Sequence, residues 1–414
     1  MAKLLYRLSI SCYVLLIHIA AIFNNKAKLW VQGRKDWKNR LREQLKTLGR
    51  GESALFWMHC ASLGEFEQGR PLLEALRAAE PETRIVLSFF SPSGYELRKN
   101  YPLADIVCYL PADGPQHAKA WLEILKPDKV FFIKYEFWHY YLTAMQAKKI
   151  PLYLVAAVFR PNQVFFKPWG HFFRKMLTCF STIFVQDQNS IVQLNRIGVD
   201  AVCSGDTRID RVLAIQSQAK DYPEVRAFVG DSPCLLCGST WPKDEKFLAP
   251  SLKILIERGW RIILAPHEVH EAHVAGICQR LELPEKQLLR YSNIESAVLT
   301  DKKVLVIDNI GMLSSLYRFA KIAYIGGGFG KGIHNTLEAA VYQIPVLFGP
   351  KHKKFVEARD LLKLEVAFEL SNPNDLLNQL AQIDFELVQH KIQQYLHQQQ
   401  GATKRIIDCL EKVK

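Results

Sequence analysis

Short apolar runs recur along this chain, each followed by a turn and then by an amphipathic stretch. In the first half they are Leu55–Cys60, Arg84–Phe89, Ile106–Leu110, Lys129–Ile133, Leu152–Ala156 and Thr182–Val185. Glu65 opens a helical stretch that runs through Leu76, and Ser91-Pro92-Ser93-Gly94 turns into another. Strand, helix, strand in this rhythm predicts a parallel sheet wrapped by helices. The rhythm breaks at Gly205-Asp206-Thr207-Arg208, and the polar stretch Ala214–Asp231 reads as a connector with a surface helix. Cys234–Cys237, Arg261–Ala265, Val304–Ile307, Lys321–Ile325 and Ile344–Phe348 then supply a second set of strands. At 414 residues the chain suits two domains of roughly 150–200 residues each. The expected class is α/β with two such domains. The expected boundaries are 1–33 for an N-terminal anchor and basic flank, 34–213 for the first domain and 214–414 for the second.

The N-terminus departs from the rhythm. Leu8 to Asn25 carries no formal charge, while Lys3 and Arg7 precede it and Lys26, Lys28, Arg34, Lys35, Lys38, Arg40 and Arg42 follow. The run is at the lower limit for a spanning helix, which needs about 20 apolar residues. A cleaved leader is the competing reading. No small-x-small site follows, and dense positive charge resists translocation. A membrane anchor, spanning or interfacial, is therefore expected, with the body on the cytoplasmic side of the cytoplasmic membrane. Trp30 and Trp37 are expected at the headgroup level.

Lys321 to Lys351 carries the densest chemistry. Gly326, Gly327, Gly328, Gly330 and Gly332 stand between two strands. Asn335 is a good N-cap for a following helix, and Glu338 sits where a capping-box acid belongs. Bare amides ahead of a helix N-terminus favour an anion. A capped helix behind a tight turn is the bland alternative, but five glycines exceed what a turn needs. The loop fails the dinucleotide pattern G-x-G-x-x-G. It also fails the P-loop, because Gly332 follows Lys331 where Ser or Thr should hold magnesium. A simple dehydrogenase or kinase is thereby disfavoured, and nucleotide-sugar enzymes remain.

In parallel sheets ligands bind beyond the carboxyl ends of the strands. Glu65 and Glu136 fall there in the first half. Taken singly, they read as a helix first-turn acid and a solvated loop acid; together they line a cleft. Ser239, Thr240, His267, Gly311 and Asn335 fall at strand ends in the second half and outline a nucleotide-sized crevice. His267, His270 and His273 lie close in sequence, but without H-E-x-x-H a metal site is disfavoured, and a phosphate donor or solvated histidines fit better.

Net charge changes the picture further. At +13, with pI near 9.2, the chain suits anionic partners, and without a nucleic-acid module those are phospholipid or phosphorylated substrate. Nine dispersed cysteines fit a reducing compartment, and Cys234 and Cys237 read as buried strand thiols.

These residues carry a resemblance. HCASLGEFEQGRPLLEAL resembles the S-x-G-E segment of the 3-deoxy-D-manno-octulosonic acid (Kdo) transferases of lipopolysaccharide assembly. KYEFWHYYL is similar to their E-T-E-L-W-P-N, GDTRID to G-N-L-K-x-D, and GSTW with its following acids to G-S-T-H. IDNIGMLSSLYRFAKIAYIGGGF, GIHNTLEAA and FGPKHKKFVEA match later segments in order, so the likeness runs nearly the whole chain. It implies a GT-B fold of two facing Rossmann-like domains, CMP-Kdo as donor, lipid IV-A as acceptor, and inversion at the anomeric carbon with neither metal nor cofactor. It implies Glu65 as general base and Glu136 and Arg208 as transition-state stabilisers. The family's CMP contacts fall on Pro266, His267, Gly311, Met312, Leu313, Asn335, Thr336, Leu337 and Glu338, beside Ser239 and Thr240 of the crevice. Departures mark a divergent branch. Arg208 stands where the family has Lys, Ala265-Pro266-His267 lacks the arginine of P-R-H, His139 and Tyr140 replace Pro and Asn, and GGGF replaces G-G-S-L. The rival readings are a GT-B transferase using a UDP-sugar on another membrane lipid, a nucleotide-sugar epimerase, and a non-catalytic membrane-bound nucleotide sensor.

Overall fold

The computed structural model describes residues 2–49 and 51–412. The chain divides into two compact units: one runs through Asp210 and regains the chain from Gln400, and the other is Arg211–Gln399. The C-terminal stretch, Gln400–Lys414, belongs to the first unit. Helix Ala402–Lys412 packs on the first unit, where Ile406 and Leu410 are buried among its sheet residues. Asp210 receives the backbone N–H groups of Gly401 and Thr403 at 2.6 and 2.7 Å and so holds the start of that helix. An amphipathic helix at a chain end carries no mark of which sheet it will cover.

The first unit holds a seven-stranded parallel sheet: β1 (Leu55–Cys60), β2 (Arg84–Phe89), β3 (Ile106–Tyr109), β4 (Lys129–Ile133), β5 (Leu152–Ala157), β6 (Thr182–Val185) and β7 (Val202–Cys203). Their order is β3-β2-β1-β4-β5-β6-β7. The strands read as unbroken apolar runs because both faces are covered. Alternate residues divide between two cores. Leu55, Trp57, Val130 and Phe132 face one way, and Phe56, Met58, Phe131 and Ile133 the other. Chain direction across the sheet reverses between β1 and β4, which is the switch point where such sheets open a crevice.

The second unit repeats the plan with β8 (Cys234–Thr240), β9 (Arg261–Pro266), β10 (Leu288–Arg290), β11 (Val304–Val306), β12 (Ile322–Ile325), β13 (Val346–Phe348) and β14 (Ala367–Glu369). Their order is β10-β11-β9-β8-β12-β13-β14, again wholly parallel, with the reversal between β8 and β12. The edge strands β7, β10 and β14 span two or three residues, too short for a pattern to show.

At the N-terminus α1 (Ala2–Ala20), α2 (Asn25–Gly33) and α3 (Trp37–Leu48) form before the sheet begins. The first is long and apolar enough to cross a membrane. Tyr6, Ile10, Val14 and Ile17, spaced three and four apart, are half-buried, whereas Leu4, Leu5, Leu8, Leu15, Leu16, Ile19, Ile22 and Phe23 are exposed. Trp30 differs from expectation, since protein covers it, while Trp37 is half-buried. Trp30 is buried against Phe90 and Tyr13, and Trp37 packs on Trp121. The guanidinium of Arg34 lies 3.8 Å above the Trp30 ring and donates to the carbonyls of Leu110, Trp30 and Phe90, pinning α2 to the ends of β2 and β3.

Candidate active site

In the first unit the crevice residues come from the two strands at the switch point. Helix α4 (Leu63–Ala79) follows β1 directly. Glu65 in its first turn accepts the Ser62 backbone N–H at 2.9 Å, so the helix-capping role expected of a first-turn acid is real. Its environment asks more of it. Burial, and next the charge of Glu136, push its carboxyl up to about 7, against the opposing pull of Ser62 and Ala61 backbone hydrogen bonds and Lys134. Glu136 follows β4 and is 4% exposed, a buried acid rather than a solvated one. Its Oε2 receives the Trp138 indole N–H at 2.5 Å and lies 2.9 Å from His59 Nε2. Cys60 sits beside both acids, and burial together with their charges pushes its thiol well up, so it stays protonated.

Arg208 enters the same unit at the start of helix Thr207–Ser217. Its guanidinium grips Asp206, with Nη2 at 2.6 Å and Nε at 3.1 Å from both carboxylate oxygens. Burial raises the Asp206 carboxyl, but Arg208 and then Lys134 outweigh it and hold it below the usual range. Arg208 is thus paired with Asp206, a partner the resemblance did not assign to it. Sequence reasoning missed three groups here. Lys134 ends β4 in the left-handed region at φ 72°, a conformation that costs a lysine energy and is frequent at functional sites. Asp206 is the second and His59 the third. The signal for His59 was an ionisable ring in the otherwise apolar strand LFWMHC.

In the second unit the expected residues gather around the ends of β8, β9 and β12. Ser239 stands at φ 52° where the register of β8 slips against β9, a strained bulge at the strand end. The His267 backbone N–H donates to the Thr240 carbonyl at 2.9 Å. Its ring stacks on Trp241 at 4.7 Å and on His334 at 4.4 Å, and burial pushes the His334 imidazole down to about 4, so that ring is neutral at pH 7. Leu313 and Tyr317 crowd the bare face of Gly238, which brings the Gly311–Leu313 turn to the end of β8.

Two expectations about the glycine loop are corrected. The helix behind it is only Leu337–Ala340, with Thr336 rather than Asn335 at its N-cap. Asn335 instead accepts the Leu337 N–H at 3.1 Å and donates to Glu338 at 3.0 Å. So short a helix has little dipole, and loop amides must carry any anion binding. Nor are all five glycines free for a ligand. A side chain on Gly326 would strike the backbone of Ser239 and Thr240, and one on Gly328 would strike Gly349.

Burial sorts the remaining candidates. Thr240, Pro266, Met312, Thr336 and Leu337 are buried and shape the crevice from behind, while His267, Gly311 and Asn335 are exposed and Ser239, Leu313 and Glu338 are half-buried. Burial also raises the Glu338 carboxyl, opposed by Asn335 and Arg211. Asp244 and Glu245, the acids that follow GSTW, were given no site role by the sequence. Asp244 ties Trp241 N, Gly327 N and the Tyr324 hydroxyl together at 2.9, 2.9 and 2.7 Å, fixing the glycine loop to β8. Glu245 holds Thr240, His273 and Arg280. Glu268, His270 and His273 present ligand atoms within 4.8 Å of one another, without His267. His270 Nδ1 accepts the His273 backbone N–H, which leaves the proton of a neutral ring on Nε2, facing Glu268 as a hydrogen-bond donor.

Comparison with known proteins fits this geometry. A family described as 3-deoxy-D-manno-octulosonic-acid transferase (kdotransferase) matches residues 35–211. The 3-deoxy-D-manno-octulosonic acid transferase of Rickettsia felis is 28% identical over 335 residues, covering 79% of this chain and 71% of that protein. Among solved structures, UDP-GlcNAc 2-epimerase from Neisseria meningitidis aligns with TM-score 0.57 at 16% identity, over 87% of this chain and all of that one. MurG of Acinetobacter baumannii aligns with TM-score 0.55 at 13% identity, over 87% and 99%. The structural likenesses establish the fold, two Rossmann-like domains of the GT-B kind. The sequence matches and the ordered strand-end residues liken this chain to the Kdo transferases, over 79% of its length in the Rickettsia felis protein.

Proposed function

We propose that the chain transfers Kdo from CMP-Kdo to lipid IV-A, with inversion and without a metal, at the cytoplasmic face of the inner membrane. The observation that carries this reading is Glu65, a switch-point carboxylate whose proton affinity sits near neutral through burial and the charge of Glu136. A sugar hydroxyl is a poor nucleophile, and a carboxylate so poised takes its proton as the oxygen attacks the anomeric carbon. The bond from that carbon to the phosphate oxygen breaks, and CMP departs with the electron pair. Attack opposite the leaving phosphate inverts the centre. Glu136 steadies the positive charge that develops on the sugar, and Arg208 counters the charge of the departing phosphate. Lys134 adds a second cation. Loop amides, Asn335 and the ring of His267 hold the nucleotide, with Ser239, Gly311 and Glu338 beside them. The exposed leucines of α1 and the basic residues around it suit an anionic, lipid-borne acceptor.

The test incubates enzyme and lipid IV-A with CMP-Kdo or with UDP-sugars and weighs the lipid product. A mass gain of Kdo from CMP-Kdo alone is expected. A gain from a UDP-sugar, or a UDP-sugar epimerised with the lipid unchanged, overturns the reading.

A further inference from the structure

The transfer just described leaves His59 unused, although the ring lies fully buried on β1 and touches Glu136. Both ring nitrogens have polar partners. Nε2 is 2.9 Å from Glu136 Oε2, and Nδ1 is 2.8 Å from Ser88 Oγ and 3.1 Å from the Ser88 carbonyl. The Ser88 hydroxyl also accepts the Trp57 indole N–H at 2.7 Å. Register explains the assembly, because β1 and β2 pair His59 with Ser88, while β1 and β4 pair His59 with Phe132, four residues before Glu136. A hydroxyl that accepts the indole proton has its own to give, and Nδ1 is the acceptor in reach. The ring proton then resides on Nε2 and points at the carboxylate. Each donor in this chain polarises the next. The outcome is an oriented donor in a buried site, where an unpaired carboxylate is costly.

We propose that His59 is the positioning residue of the carboxylate pair: the relay Trp57–Ser88–His59 fixes one imidazole tautomer, which holds Glu136 as an oriented anion beside Glu65. The inference rests on the proposed roles of Glu65 and Glu136. The other groups facing the pair are Cys60 from β1, kept neutral by burial, and Lys134 from the end of β4, with the Asp206–Arg208 pair next to Lys134. Trp138 shares the oxygen His59 holds, so removing His59 loosens Glu136 without emptying it of partners. A loosened Glu136 holds its charge further from Glu65, and the Glu65 carboxyl, which that charge helps to push up, ionises at lower pH as a weaker base.

The test is the pH–rate profile of Kdo transfer by the full-length enzyme. His59→Phe is expected to lower kcat about tenfold or more, with the donor KM little changed, and to move the acidic limb down by about half a pH unit or more. His59→Gln supplies an N–H toward Glu136 and is expected to restore most of the rate and the limb. Ser88→Ala serves where His59→Phe does not fold. Without the hydroxyl, Nδ1 takes the ring proton to reach the backbone carbonyl and turns a lone pair toward Glu136, so the limb moves the same way. A role confined to packing moves neither limb. If Glu65→Gln and Glu136→Gln are inactive while the profiles of His59→Phe and Ser88→Ala overlay the wild type, the inference is overturned alone. If Glu65→Gln and Glu136→Gln keep full rate, it falls together with the reading beneath it.

Discussion

Glu65→Gln should inactivate the enzyme and stabilise it, and the stabilisation should depend on pH. The carboxyl is pushed from an ordinary 4.5 up to about 7 in the folded chain. A group whose folded proton affinity is raised makes the fold less stable as pH climbs through the window between the two values, because the unfolded chain ionises first. At 1.36 kcal/mol per tenfold change in proton affinity, the penalty approaches about 3 kcal/mol at pH 8. At pH 5 it is only about 1 kcal/mol, since pH 5 lies only half a unit above the ordinary value. Glutamine never ionises and escapes both, and its side-chain oxygen still accepts the Ser62 N–H, so the helix cap survives. In the first unit a gain of that size corresponds to a rise in midpoint of roughly 5–10 °C at pH 8 and a small fraction of that at pH 5. Scanning calorimetry at the two pH values reads the stability. Transfer of radiolabelled Kdo reads the activity, which should fall by about 10²–10⁴-fold. A variant that transfers at the wild-type rate, or one less stable than wild type at pH 8 and unchanged at pH 5, would refute the account of Glu65 as a buried base.

Other expectations follow from particular contacts. Asp244→Asn places an NH2 before a backbone N–H or the Tyr324 hydroxyl. It should cost the second unit about 2–4 kcal/mol in urea and weaken CMP binding by calorimetry, and unchanged binding would mean the glycine loop needs no such tether. Ile406→Ala, with the residue wholly buried in the first unit, should cost about 2–5 kcal/mol there and leave the second unit's transition in place. A loss in the second unit instead would reverse the assignment of the C-terminal helix. Replacing Leu15 and Leu16, which are 61% and 64% exposed, by glutamate should release the protein from sedimenting anionic vesicles without lowering its stability. Continued pelleting would remove α1 from the membrane contact.

The strand rhythm, the two sheets and the positions of Glu65, Glu136 and the glycine loop were legible in the chain itself. A parallel strand covered on both faces must be an apolar run, and in such sheets chemistry gathers at the strand ends, so both can be read locally. What partners each group finds across the sheet is not local. His59 meets Ser88 and Glu136 only because three separate strands align in one register. Arg208 is neutralised by its neighbour Asp206 through side-chain torsions that no spacing encodes. Trp30 is roofed by Phe90 from a strand end 60 residues away. The C-terminal helix shows the same limit at larger scale: its amphipathic pattern announced that one face would be buried, and only long-range packing decided that the first sheet would bury it.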